Sequence, residues 1–177
     1  MRDEEGGMKK EVLPMTEHEQ FTHTAAPVFD QFSRILILGT FPSAKSREHQ
    51  FFYSHPQNRF WRVLAAILNS QLPVTVEEKK QMLLSHQIAL WDVILQCEVK
   101  GSSDSSIKNV IPTDLSEILN ACNMKAIFLN GKTAEKLFYR FNKELIDIPA
   151  ITLPSTSPAN AMYSLERLID EWSVIVR

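Results

Sequence analysis

Two stretches of this sequence combine residue types that chemistry can use: residues 39–61 and residues 153–160. The first reads Gly39-Thr40-Phe41-Pro42-Ser43, then Phe52-Tyr53, then His55-Pro56-Gln57-Asn58-Arg59-Phe60-Trp61. Glycine at a strand end lets backbone approach a ligand closely, and Pro42 stiffens the turn that follows. Over residues 40–64, Lys45, Arg47, Arg59 and Arg62 stand against one acid, Glu48, with His49 and His55 besides. Aromatic side chains interleaved with such charge suit a pocket that meets phosphates and stacks a planar ring. The simpler account packs the aromatics as core and leaves the charges in water. That account is the better one for Phe60 and Trp61. Phe52 and Tyr53 lie far from any helical period, and both accounts stand for them.

The second stretch is Leu153-Pro154-Ser155-Thr156-Ser157-Pro158-Ala159-Asn160. It reads as a helix start, with Ser157 as N-cap and Pro158 at the first helical position. Hydroxyls and exposed amides at a helix N-terminus also grip phosphate, so the two readings are compatible. A third stretch, Asn130-Gly131-Lys132-Thr133, lacks the spacing of a nucleotide-binding P-loop. Lys132 there meets a phosphate or is simply solvated. Asp92 in LWDV and Asp104 in GSSDSSI read as loop or capping groups.

Elements must position these loops. The apolar run 34–38, ended by Gly39, suits a buried parallel strand. Phe60, Leu64, Ile67 and Leu68 share one face of a helix, and residues 76–86 form a second helix. Residues 88–94 read as a short strand and 98–109 as polar loop. Asp114, with Glu117 three positions on, opens a helix whose apolar face is Leu115, Ile118, Leu119 and Cys122. A strand over 125–129 leads into a helix carrying Ala134, Leu137, Phe138 and Phe141. A strand over 149–153 precedes a final helix with Ala161, Leu165, Leu168, Ile169 and Trp172. Alternation of this kind predicts an α/β fold, three-layer α/β/α with a short central parallel sheet. In such folds ligands bind beyond the carboxyl ends of the strands, where all three stretches fall.

The 177 residues, 44% of them hydrophobic, suffice for one sizeable core, so a single domain over 28–177 is expected after a flexible tail over 1–27. A net charge of −2 provides no global field for nucleic acid, and any contact must be a local patch. Two cysteines, Cys97 and Cys122, lack metal-ligand spacing and fit a reducing interior; no metal and no cofactor is expected. No apolar run approaches a membrane span, and no leader pattern opens the chain. A cytoplasmic monomer is expected.

Together, GTFPS, HPQNRFW, LWDVI, FLNGKTA and LPSTSPAN resemble the uracil-DNA glycosylase superfamily, and within it the hypoxanthine-DNA (deoxyinosine) glycosylase branch. Superfamily members carry G-x-x-P at the strand end, often with Asp or Asn third; here that position is Phe41, which cannot position water. In the branch resembled, an asparagine further along the loop is implicated, and Asn58 is the matching residue. The resemblance implies a base pocket of Gly39, Thr40, Phe41, Pro42, Phe52, Tyr53 and Asn130, with Asn58 catalytic. It implies DNA contacts from Lys45, Arg59, Lys132, Ser155, Thr156, Ser157 and Pro158.

The implied reaction is hydrolysis of the glycosidic bond to a deaminated base, hypoxanthine in preference, leaving an abasic site. A base inside a duplex is out of reach, so it must be flipped out, at about a few kcal/mol, and a mispair lowers that cost. Single-stranded DNA is a possible substrate form too. If the bond is largely broken before water adds, an Asn58 amide oxygen suffices to place the water. Amides near Thr40 and Phe41 and the side chain of Asn130 would meet charge on the departing base. No Schiff-base lysine is indicated, hence no strand cleavage. Three other readings stay open: a uracil-specific member of the superfamily, a non-catalytic DNA- or nucleotide-binding module, and a hydrolase of free nucleosides.

Overall fold

The run Ile-Leu-Ile-Leu-Gly is strand β2 (Ile35–Gly39), and four of its five residues are buried. A strand so apolar needs cover on both faces, which a parallel sheet between helices supplies. The computed structural model describes residues 19–100, 106–142, 144 and 146–176, and shows that arrangement. β2 pairs in parallel with β3 (Ile88–Asp92) and β6 (Ala126–Asn130), and β6 pairs with β7 (Ala150–Leu153). The sheet order is β3-β2-β6-β7. Helices α2 (Phe60–Ile67) and α6 (Leu165–Trp172) pack together, α3 (Val76–Ser85) lies on β3, and α5 (Lys132–Phe141) lies on β6. This is the three-layer fold that the alternation implies.

Parallel register puts the carboxyl ends of the strands at one edge. Gly39 stands opposite Asp92, and Asn130 opposite Leu153. Fully buried Phe60 meets Trp172 edge to face at 5.8 Å, and the Trp172 indole N–H donates to Pro154 O at 2.9 Å. The final helix thus anchors the loop that follows β7. Burying a side chain such as Phe60 contributes about 1.5–3 kcal/mol, and the core joins α2 and α6 to that loop.

Three expectations need correction. Residues 98–109 are not simply a polar loop. Strands β4 (Ile94–Val99) and β5 (Lys108–Pro112) pair antiparallel in a second sheet, with 101–105 outside the described residues. Register shifts in the β4–β5 pairing break simple alternation, so that β4 buries Ile94, Cys97 and Val99 while Leu95 is exposed. Part of the expected tail is the third strand of that sheet, β1 (Glu19–Thr22), paired with β4. Residues 1–18, and with them most of the expected tail, lie outside the described residues; so does Asp104.

The final helix does not begin at Ser157 and Pro158. It starts at Leu165, with Ser164 as N-cap accepting from Arg167 N. Arg59 explains the delay, because its guanidinium takes the carbonyls of Ser157, Asn160 and Tyr163, which a helix starting at Pro158 would need. The loop 39–59, in turn, contains a short helix, α1 (Ala44–His49), capped by Ser43. Helix α4 (Ser116–Ala121) starts two residues after Asp114, whose Oδ1 accepts from Ser116 N at 2.9 Å.

Candidate active site

A pocket opens at the carboxyl edge of the parallel sheet. From the loop after β2 it takes Gly39, Thr40, Phe41 and Pro42, with Phe52, Tyr53 and Asn58 beyond α1. From the ends of β6 and β7 come Asn130, Ser155, Thr156 and Ser157. The structure therefore brings the expected base pocket, Asn58 and the serine-rich loop into one place. Lys45, Arg59, Lys132 and Pro158 do not line it.

Thr156 is fully buried and knits the walls together. Its N–H donates to Asn130 Oδ1 and its hydroxyl accepts from Asn130 Nδ2, each at 3.0 Å. The same hydroxyl donates to Asn58 Oδ1 at 3.0 Å. Asn58 Oδ1 also accepts the Phe60 N–H at 2.9 Å, which fixes the amide's orientation. Two donors occupy the lone pairs of that oxygen. The group Asn58 can offer a ligand is Nδ2, which has no hydrogen bond to the described residues. The oxygen expected to place water is thus engaged by Phe60 and Thr156 in this structure.

Arg59 is equally engaged. Its Nε donates to Thr156 O at 3.3 Å, and its Nη atoms donate to the carbonyls of Ser157, Asn160 and Tyr163. Burial first, then nearby Arg62, lowers the Arg59 pKa from its ordinary value. Arg59 thus clamps the loop 156–163 in this structure. Lys45 and Lys132 sit at exposed ion pairs with Glu48 and Glu135, at 2.7 and 3.1 Å.

Glycine at 39 is explained by what surrounds it. A Cβ there would overlap Asp92 Oδ1 and stand 2.6 Å from the Tyr53 hydroxyl. Tyr53 has φ 50°, a left-handed conformation costing about 1–3 kcal/mol in a residue with a side chain. It stacks on Phe60 at 3.9 Å. The fold holds this ring at the pocket despite the backbone cost.

Two charged groups of the pocket escaped the sequence reading as site residues. Arg47 lines it, donating to Pro42 O at 2.8 Å, with its guanidinium 3.9 Å above the Phe21 ring. Burial lowers its pKa, partly offset by Cys97 and Glu19. Asp92 also lines it, 4% exposed, and accepts from His23 Nε2 at 2.9 Å. The signal for Asp92 was present: it ends a strand beside Gly39, where the strand-end rule points. Among the described residues no group of His, Cys, Asp and Glu could hold a metal ion. No helix among them is long and apolar enough to cross a membrane.

Residues 26–173 match the Uracil DNA glycosylase superfamily. The chain belongs to that superfamily. It is 34% identical over 152 residues to a protein of Methanosarcina acetivorans named hypoxanthine DNA glycosylase, covering 85% of this chain and 94% of that one. A protein of the same name from Methanosarcina barkeri is 37% identical over 109 residues, covering 60% and 68%. A solution NMR structure of a candidate uracil DNA glycosylase from Methanosarcina acetivorans superposes with a TM-score of 0.75 at 30% identity, covering 86% of this chain and 94% of that one. For a superfamily glycosylase, this chain replaces the polar third residue of G-x-x-P by Phe41, and polar groups enter its pocket from neighbouring strands and loops instead.

Proposed function

We propose that this superfamily member is a monofunctional DNA glycosylase that removes hypoxanthine from DNA by hydrolysis. The observation that carries the reading is the Asn58–Thr156–Asn130 network, which joins HPQNRFW, LPSTSPAN and FLNG in the wall of one pocket. The names of the relatives support hypoxanthine as the base. Phe41 and Phe52 give the pocket aromatic walls of the kind against which a flipped base stacks. Bond breaking leaves negative charge on the departing base, and Asn58 Nδ2 is a donor placed to meet it. Water completes the reaction at the sugar, giving an abasic site and the free base.

Met162, 83% exposed two residues past Asn160, is a large apolar side chain on the same loop. It is suited to fill the stack that a flipped base leaves. Uracil is the second substrate reading, supported by the structural relative. The test is incubation with duplexes carrying inosine, uracil or xanthine, followed by alkali. Breaks are expected at inosine, and only after alkali. A folded protein that yields abasic sites at none of the three would end the proposal.

A further inference from the structure

His23 lies outside the segment matched to the superfamily, yet it reaches the back of the pocket. It directly follows β1, and its backbone N–H donates to Leu95 O at 2.7 Å. Its ring is buried, edge-on to Phe41 at 6.2 Å and tilted against Phe52 at 5.7 Å. Nε2 donates to Asp92 Oδ2, and Nδ1 is buried with no partner among the described residues. The ring thus touches both aromatic walls and one carboxylate oxygen. Oδ2 is engaged by His23, and Oδ1 stands beside Gly39 and near the Tyr53 hydroxyl, both residues of the pocket lining as Asp92 is.

A carboxylate is an acceptor only, so it selects a donor on whatever enters. Deamination makes such a donor. Adenine N1 and cytosine N3 are acceptors; in hypoxanthine and uracil the same ring positions carry N–H beside a new carbonyl. An acceptor fixed in a buried wall accepts the deaminated base and meets the parent base with lone pair against lone pair. Sites built around one polar partner discriminate strongly, because the unmatched group is left buried and unpaired.

We propose that His23 positions Asp92 so that Oδ1 accepts the ring N–H that deamination creates on the flipped base. β1 with the residue after it is then a specificity element, in which Phe21 packs on Arg47 and His23 bonds Asp92. The inference rests on the glycosylase reading above.

The test compares two duplexes whose 2′-fluoroarabino sugar resists cleavage, one with hypoxanthine and one with 1-methylhypoxanthine, in which the N–H is replaced. Asp92→Asn is nearly isosteric; its oxygen stays with His23 and an N–H turns toward the base. Wild-type preference for the hypoxanthine duplex should narrow by about 10- to 100-fold in Asp92→Asn, the scale of one hydrogen bond to a charged group. His23→Leu should narrow it in the same direction, and His23→Gln, which keeps a donor, should restore part of it. Thermal unfolding checks that each variant is folded. A merely structural His23 would lower stability and leave the preference alone. An unmoved preference in folded Asp92→Asn, with excision of ordinary inosine lost, would put Asp92 on the water and overturn the proposal. Failure of the underlying reading is distinguishable, because wild type would then excise no deaminated base at all.

Discussion

Asn58 shows how one side chain serves fold and chemistry through different atoms. Its oxygen accepts from Phe60 N and the Thr156 hydroxyl, and its nitrogen remains for a ligand. Asn58→Asp keeps an acceptor for both partners, and aspartate accepts from a backbone N–H two residues on as asparagine does. Stability should be retained, while single-turnover excision falls by about 10²–10³-fold, as when one transition-state donor is removed. Retained or faster excision would mean that an oxygen at this position handles the water. Arg59 makes the opposite prediction. Lysine has no fork of donors, so Arg59→Lys should destabilise by about 1.5–3 kcal/mol in urea unfolding, the scale of a charge-assisted bond. Its DNA affinity should keep the wild-type salt dependence; normal stability with a flattened salt response would return Arg59 to phosphate binding. Sequence marked Asn58 and Arg59 as important but not the atoms engaged, because their partners lie about a hundred residues away in Thr156 and Tyr163. Asp92 was missed because a lone aspartate at a strand end acquires meaning only when His23 is known to stand behind it.

At the scale of elements, the parallel strands were legible because burial on both faces requires an apolar run, as in Ile35–Gly39 and Ala126–Asn130. The second sheet was not, because Glu98 and Lys108, which sit in its strands, belong to a polar stretch that reads as loop. The late start of α6 was illegible for another reason: a tertiary clamp from Arg59 overrides a good local N-cap signal at Ser157. Gly131 tests how strand ends and loops are coupled. It has φ 98°, and a Cβ there would stand 2.9 Å from Ser155 Cβ. Gly131→Ala should therefore cost about 1–3 kcal/mol through backbone strain. It should also push Ser155 and the 154–160 loop from Asn130, so excision per folded molecule should fall. A variant that loses stability but excises normally once folded would show that the loop tolerates displacement.

At the scale of the whole molecule, a net charge of −2 must be reconciled with a polyanionic substrate. A uniform field is absent, so affinity should come from a few cations near the carboxyl edge of the sheet. Arg59 is removed from that set by its carbonyl clamp, and Arg47 is partly buried against Phe21. Lys45 on α1 and Lys132 at the start of α5 remain, each past the end of a central strand. Their ion pairs with Glu48 and Glu135 are exposed, and exposed pairs contribute only about 0–1 kcal/mol, so a phosphate can displace either carboxylate. Each phosphate neutralised on a duplex adds about 0.9 to the slope of log affinity against log salt, so Lys45→Gln with Lys132→Gln should flatten it by about 1.8. Hydrolysis once DNA is bound should change little, since neither lysine lines the pocket. Affinity measured by anisotropy across a salt series, beside single-turnover excision at saturating enzyme, separates the two effects. An unchanged slope would move the phosphate contacts to the backbone amides of 155–160 or to Arg62. A lost excision rate at saturation would instead make one of the lysines part of the chemistry.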